Sequence, residues 1–437
     1  MTSLTIASDF STQTIFITIV LGAVFVYGVS RPRIAAIPVT WDAHHWLSGR
    51  YPWNIEHALH KYGPVKNPET FVETRFQNRG KDLGGMIWEE DPVHHHEQSI
   101  HTNMEPLVHK YIDSFILDME EIGTDGICLV QWTHWLTVDF SADLAWNTKL
   151  NQMEDMKDSV HLDVVLSCNK YATVLQVFKR FPLLAPFQYL FALMGKVRLF
   201  AQMDKVTRDS VLQRINQRGT QSIPSDPREL LNSGSVDLQV MFAGWGPMVD
   251  LFYETLALLV REPDCYKALV EEIRTHFTDY ESMTLAILGS LPYLHAYVEE
   301  TLRMLPSNNT GLPRISPGAV VDGYYTPKGI HVQSCIWALA RSPTYFYDLL
   351  RFRPQLWLTP SHSLYDSSFV EDGLKSLYLF SLGLCIFLGR EMAWLQAKLT
   401  LAKVFWTFDV VKIPGQRFDL DNILLNYGFF EKVELKV

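Results

Sequence analysis

The sequence predicts a mainly α protein with a minor β region, an α+β fold, forming one large domain behind a single N-terminal transmembrane helix. Three observations carry that expectation. Several long segments repeat apolar residues at helical spacing. One stretch, residues 312–334, combines β-propensity with Gly and Pro punctuation. One apolar run, near the N-terminus, is long enough to cross a bilayer. A chain of 437 residues could hold two or three average domains, but no internal repeat or low-complexity segment divides it. An apolar content of 47% with 20% charged residues describes a well-buried globular chain and excludes a disordered one.

The elements follow in order. Ile15 to Val29 is nearly all apolar, and Thr12 to Thr14 extend the run to about 18 residues. An anchor over residues 12–30 is therefore expected, with the domain over residues 34–437. Arg31 and Arg33 follow the run and Asp9 precedes it, which puts the bulk of the chain on the cytoplasmic side. Basic charge after the run, with no A-x-A site, also argues against a cleaved leader. A helix is expected from Asn54 to Tyr62, ended by Gly63-Pro64. Over residues 105–120, Leu107, Val108, Tyr111, Ile112, Phe115 and Met119 share one helical face. Asp139, Asp143 and the aromatic residues near Trp132 read as core and rim of a helix, not as an acid pair. Residues 170–217 read as mostly helical, and a Pro/Asp/Ser loop follows at Ile223 to Arg228. A long apolar helix is expected from about Val236 to Val260, closed by Arg261-Glu262-Pro263. Further helices are expected over 264–276, 291–305 and 389–408.

Charge and cysteine usage narrow the partners. A net charge of −10 argues against nucleic acid, which wants clustered Lys and Arg. The five cysteines are scattered, odd in number and without a C-x-x-C pair, so reduced thiols are expected. His94-His95-His96 lacks the i+4 partner that a helical metal site needs and reads as a solvated face.

The motifs lie in the C-terminal half. Glu300 and Arg303 stand at i and i+3 and can pair on one helical face. Before them comes Leu291-Pro292-Tyr293-Leu294-His295-Ala296. After them come Gly311-Leu312-Pro313-Arg314, Gly323-Tyr324-Tyr325-Thr326-Pro327-Lys328-Gly329, Ala338-Leu339-Ala340-Arg341-Ser342-Pro343 and Phe352-Arg353-Pro354-Gln355-Leu356-Trp357. Phe380-Ser381-Leu382-Gly383-Leu384-Cys385-Ile386-Phe387-Leu388-Gly389-Arg390 closes the series. This order and spacing resemble fungal microsomal members of the cytochrome P-450 family, of secondary-metabolism type, from about residue 230 to the end. The resemblance implies that family's single domain, a haem cofactor, and an endoplasmic reticulum membrane location. It also implies an apolar small-molecule ligand, and a flavoprotein reductase as electron donor if haem is bound. It assigns Glu300 and Arg303 to a structural pair and Arg314 to the cofactor cradle.

Five departures fall on the residues that would run the chemistry. Phe387 holds the position of the iron-ligating cysteine, whose sulfur donation favours O–O cleavage. Cys385 holds an arginine position two residues earlier. The central helix reads Ala243-Gly244-Trp245-Gly246-Pro247 where the family has A-G-x-[DE]-T, so Gly246 and Pro247 replace the proton-relay acid and alcohol. Gln355-Leu356 replace a Glu-Arg that would complete the Glu300–Arg303 lock, which leaves the pair without its usual third member and the fold core under-supported. Arg353, displaced by three positions, is the available substitute. No arginine occurs between Arg79 and Arg180 to meet a haem propionate. Cys385 as a displaced ligand requires the loop to slide by about 6.6 Å; as a small buried hydrophobe it requires nothing.

Three readings remain open at this stage. The first is a P-450-like protein inactive as a haem-thiolate monooxygenase, with haem weakly bound or absent. The second is a non-oxidative cyclase or isomerase that uses the old pocket, for which Trp245 and Asp250, an outward-facing residue on its helix, are the only suggestions. The third is a working oxygenase with Cys385 as metal ligand.

Overall fold

A computed structural model describes chiefly residues 105–122, 126–163, 227–307, 336–374 and 389–411, six short strands between residues 314 and 431, and scattered positions that include Phe380 and Phe387. The expected anchor at 12–30, the helix at 54–62, the triple histidine and nearly all of 170–217 lie outside the described residues. Among the described residues, no helix is long and apolar enough to cross a membrane.

Helix α1, Glu105–Ile122, buries Val108, Tyr111, Ile112, Phe115, Ile116 and Met119; of the face its spacing predicts, Leu107 is only partly buried, and Ile116 joins it. Helix α2, Leu129–Trp146, is buried almost all round, from Trp132 and Trp135 to Phe140 and Trp146. A helix without a polar face belongs in the middle of a fold. It ends on Asn147 in the left-handed conformation (φ 53°), whose N–H returns to the carbonyls of Ala142 and Asp143. A single turn, α3 (Gln152–Asp155), follows. Asp139 is buried and accepts the Gln152 side-chain amide at 3.1 Å and the Met153 N–H at 3.1 Å. Asp143 pairs with Lys110 and Tyr111 on α1. These two acids tie elements together, as core and rim positions of a helix should.

Helix α4 runs from Pro227 to Arg261, 35 residues and roughly 50 Å. It begins at Pro227 rather than near Val236, because proline is tolerated in a first turn, where its missing N–H costs nothing. Helix α5, Pro263–His276, starts one residue after α4 ends. Helix α7, Pro292–Met304, follows a short α6, Leu285–Leu288. The residue before α7, Leu291, caps nothing. Instead Glu272 on α5 accepts the N–H groups of Tyr293 (2.8 Å) and Leu294 (2.7 Å), which satisfies the orphan donors from outside. A single turn, α8 (Ile336–Leu339), precedes the last helix. Helix α9, Arg390–Thr407, is closed in the same manner. Arg274 donates to the carbonyls of Phe405 (2.9 Å) and Phe408 (3.0 Å) and pairs with Asp409.

Three antiparallel strand pairs complete the described fold: β1 (Arg314–Ile315) with β4 (His331–Val332), β2 (Ala319–Val321) with β3 (Tyr324–Thr326), and β5 (Leu425–Asn426) with β6 (Phe430–Glu431). Residues of α1, α2, α4, α5, α7 and α9 share one apolar core. Trp132 sits edge-on to both Phe115 and Trp135. Such pairs add about 0.5–1.5 kcal/mol each beyond simple burial.

Candidate functional site

The most completely built polar site in the described residues lies on α7. Glu300 and Arg303 are both fully buried, and Arg303 clasps Glu300 with Nε and Nη2, each at 2.7 Å. Burying a charge pair is tolerable only when every remaining donor and acceptor is met. Here the loops after α8 supply what is missing. Arg303 Nη1 donates to the carbonyls of Ala340 (2.8 Å) and Leu349 (2.9 Å), and Nη2 donates to that of Arg351 (3.0 Å). Glu300 accepts the Arg353 N–H at 2.7 Å and the Trp357 indole N–H at 3.0 Å.

This geometry corrects the expectation that the pair lacks its third member. No third cation is present, yet the lock is closed. Arg353 takes part through its backbone; its guanidinium turns to Asp348 at 2.9 Å. Trp357, not singled out from the sequence, is the side chain that fills the role. The available signal was its place in Pro354-Gln355-Leu356-Trp357, a turn that follows a buried acid, because an indole is a donor only and suits a carboxylate. Leu356 packs in the interior rather than leaving a hole.

Gly246 and Pro247, which the resemblance puts at the proton-relay positions, lie within α4. Gly246 is buried, and Pro247 sits inside the helix, where it removes a backbone donor. Neither can carry a proton. Gly244, in contrast, has a clear packing reason. A Cβ there would lie 2.7 Å from Ser141 Oγ on α2, closer than real carbons approach. Trp245 is buried and donates its indole N–H to His134 Nδ1 at 3.0 Å. Asp250, expected to face outward, is instead fully buried, because α4 is covered on that side as well.

The loop before α9 is described at its two ends. Phe387 donates its N–H to the Phe380 carbonyl at 2.8 Å, and its own carbonyl accepts the Arg390 N–H at 3.1 Å. Phe387 is 37% exposed, and its ring stacks on Phe380 at 6.3 Å. Cys385 lies outside the described residues, and Arg314 is placed on β1 with its backbone paired to Val332.

The implied group is haem, so the described residues can be tested against it. At the ligand position stands a hydrocarbon ring with no lone pair. On α4, glycine and proline stand where donors would act. These residues do not fit a thiolate-ligated haem.

A second polar cluster, also missed from the sequence, joins α7 to α9. His295 Nε2 lies 3.7 Å from Glu299, and the His295 ring packs on Trp394 at 4.6 Å. Lys398 lies over the same Trp394. Burial pushes the Glu299 carboxyl up to about 7, opposed by Arg390 and Lys398. Burial, then Lys398 and Arg390, pulls His295 down to about 4.

A family model described as Cytochrome P450 matches residues 236–426. The chain is 37% identical to the cytochrome P450 monooxygenase TwmD of Talaromyces wortmannii, over 93% of this chain and 89% of that one. It is 28% identical to the cytochrome P450 monooxygenase poxC of Penicillium oxalicum, over 92% and 86%. Among solved structures, the cytochrome P450DA heme domain superposes with a TM-score of 0.62 at 15% identity, covering 76% of this chain and 71% of that one, a likeness of fold. The chain belongs to the cytochrome P450 family.

Proposed function

We propose that this chain is a cytochrome P450 scaffold of fungal secondary metabolism that no longer performs haem-thiolate oxygenation. Family and fold imply haem as the original cofactor. The observation that carries the reading is Phe387: its ring occupies the ligand position, stacked on Phe380, and offers nothing to iron. Gly246 and Pro247 on α4 support it, since neither moves a proton. The remaining task in this reading is the binding of an apolar small molecule by the old oxygenase scaffold, held at the endoplasmic reticulum by residues 12–30 with the bulk facing the cytoplasm. Without bound haem, a flavoprotein reductase has no role as partner.

The test is the visible spectrum of the full chain in detergent, expressed with haem supplied, before and after dithionite and carbon monoxide. The expected result is no Soret band with a thiolate-type red shift. Its appearance would transfer the iron to Cys385 and overturn the reading.

A further inference from the structure

Four rings form a continuous chain from the loop to α7. Phe387 stacks on Phe380, with centroids 6.3 Å apart and planes 24° apart. Phe380 meets Trp394 of α9 at 6.4 Å. Trp394 meets His295 of α7 at 4.6 Å. Gly389 is part of the same arrangement, because a Cβ there would lie 2.9 Å from Phe387 Cε1 and 3.1 Å from Cζ. The first ring is thus pressed against the backbone that starts α9. The two backbone hydrogen bonds of Phe387 fix its position at the mouth of the loop.

We infer that Phe387 pins the start of α9 to Phe380, in place of a metal–ligand bond, so that Phe387, Gly389 and Arg390 hold their places without haem. The inference rests on the reading above, that no ligand bond forms at position 387. It adds that the substitution is a structural replacement and not only a loss. A thiolate bonded to iron ties a loop to its cofactor. A phenyl ring can tie the same backbone to a neighbouring ring by offset contact. The first arrangement fails when the cofactor leaves. The second does not depend on it.

The experiment is amide hydrogen exchange on peptides spanning residues 380–390, with the full chain in detergent, with and without added haemin. In wild type, protection of the Phe387 and Arg390 amides is expected to be the same in both samples. Phe387→Leu keeps an apolar side chain but ends the ring stack, and it should speed exchange in these peptides by about fivefold to tenfold, with α2 and α4 unchanged. Gly389→Ala drives a methyl into the ring and should have the same local effect, which keeps the test open if the first variant fails to fold. Equal exchange in Phe387→Leu and wild type would overturn the inference, as would wild-type protection that appears only with haemin. A carbon monoxide spectrum of the same samples separates the two claims. A thiolate band overturns the functional reading, whereas unchanged exchange in the variants overturns the ring chain alone.

Discussion

The Glu300–Arg303 pair on α7 and the Phe387 junction before α9 both stand in the order of motifs that the family shares, and they are built differently. In the first, no side-chain cation from the following turn is present, and yet carbonyls, one backbone N–H and one indole meet every charge. In the second, the described contact is between apolar rings, Phe387 stacked on Phe380. A buried ion pair left open costs the fold several kcal/mol. Helix α4 repeats the contrast within one turn. Gly244 meets Ser141 across the helix contact, whereas Gly246 and Pro247 offer no side-chain donor or acceptor.

The comparison breaks most directly at Arg303. Replacing it with Met strands the Glu300 carboxylate among carbonyls and is expected to cost about 3–5 kcal/mol, read as a shift in the urea midpoint. A loss below about 1 kcal/mol would show that the lock is not structural. Trp357→Phe sharpens the same region. It preserves the ring and removes one donor to a charged acceptor, with an expected cost of about 1.5–3 kcal/mol. If stability is unchanged, the Arg353 N–H and the Arg303 guanidinium suffice, and the indole is a bystander.

Glu299, the neighbour of Glu300, provides a control in which burial is not matched by full pairing. Its folded pKa of about 7 lies above the ordinary carboxylate value. The stability tied to it is therefore fully present below about pH 4.5 and is lost as pH rises through about 7. With the side chain 22% exposed, the effect is expected to be about 1–2 kcal/mol. Glu299→Gln should accordingly stabilise the protein at pH 8 and leave it unchanged at pH 4. Parallel stability curves for the two proteins across this range would remove the cluster from consideration. The smallest effect is expected at Gly244→Ala, about 1 kcal/mol, because the opposing Ser141 hydroxyl can rotate away. Adding Ser141→Ala should recover most of that loss in a double-mutant cycle. Full additivity would mean that the two helices do not meet there.

Much of this was legible in advance, for identifiable reasons. The face of α1 followed from spacing alone, since 3.6 residues per turn puts Val108, Tyr111, Ile112 and Phe115 together wherever a core exists. The family pattern was legible because Glu300, Arg303 and the Phe380–Arg390 loop stand in a fixed order. The partners of Glu300 were not legible. They come from residues 53 and 57 positions away, in irregular backbone whose N–H groups carry no sequence signature. The burial of Asp250 was hidden for a related reason: whether a polar residue on α4 meets solvent depends on what covers the helix, not on α4 itself.

The sequence by itself determined that this chain has the P450 order of motifs and that position 387 carries a ring without a lone pair, because both are matters of residue identity. Only the tertiary structure decided that the Glu300–Arg303 lock is complete without a third cation and that Phe387 joins a chain of rings ending at His295. Hydrogen bonds and ring contacts between residues far apart in the chain depend on where the backbone brings them. That position is set by the packing of six helices around a shared core, not by any one segment.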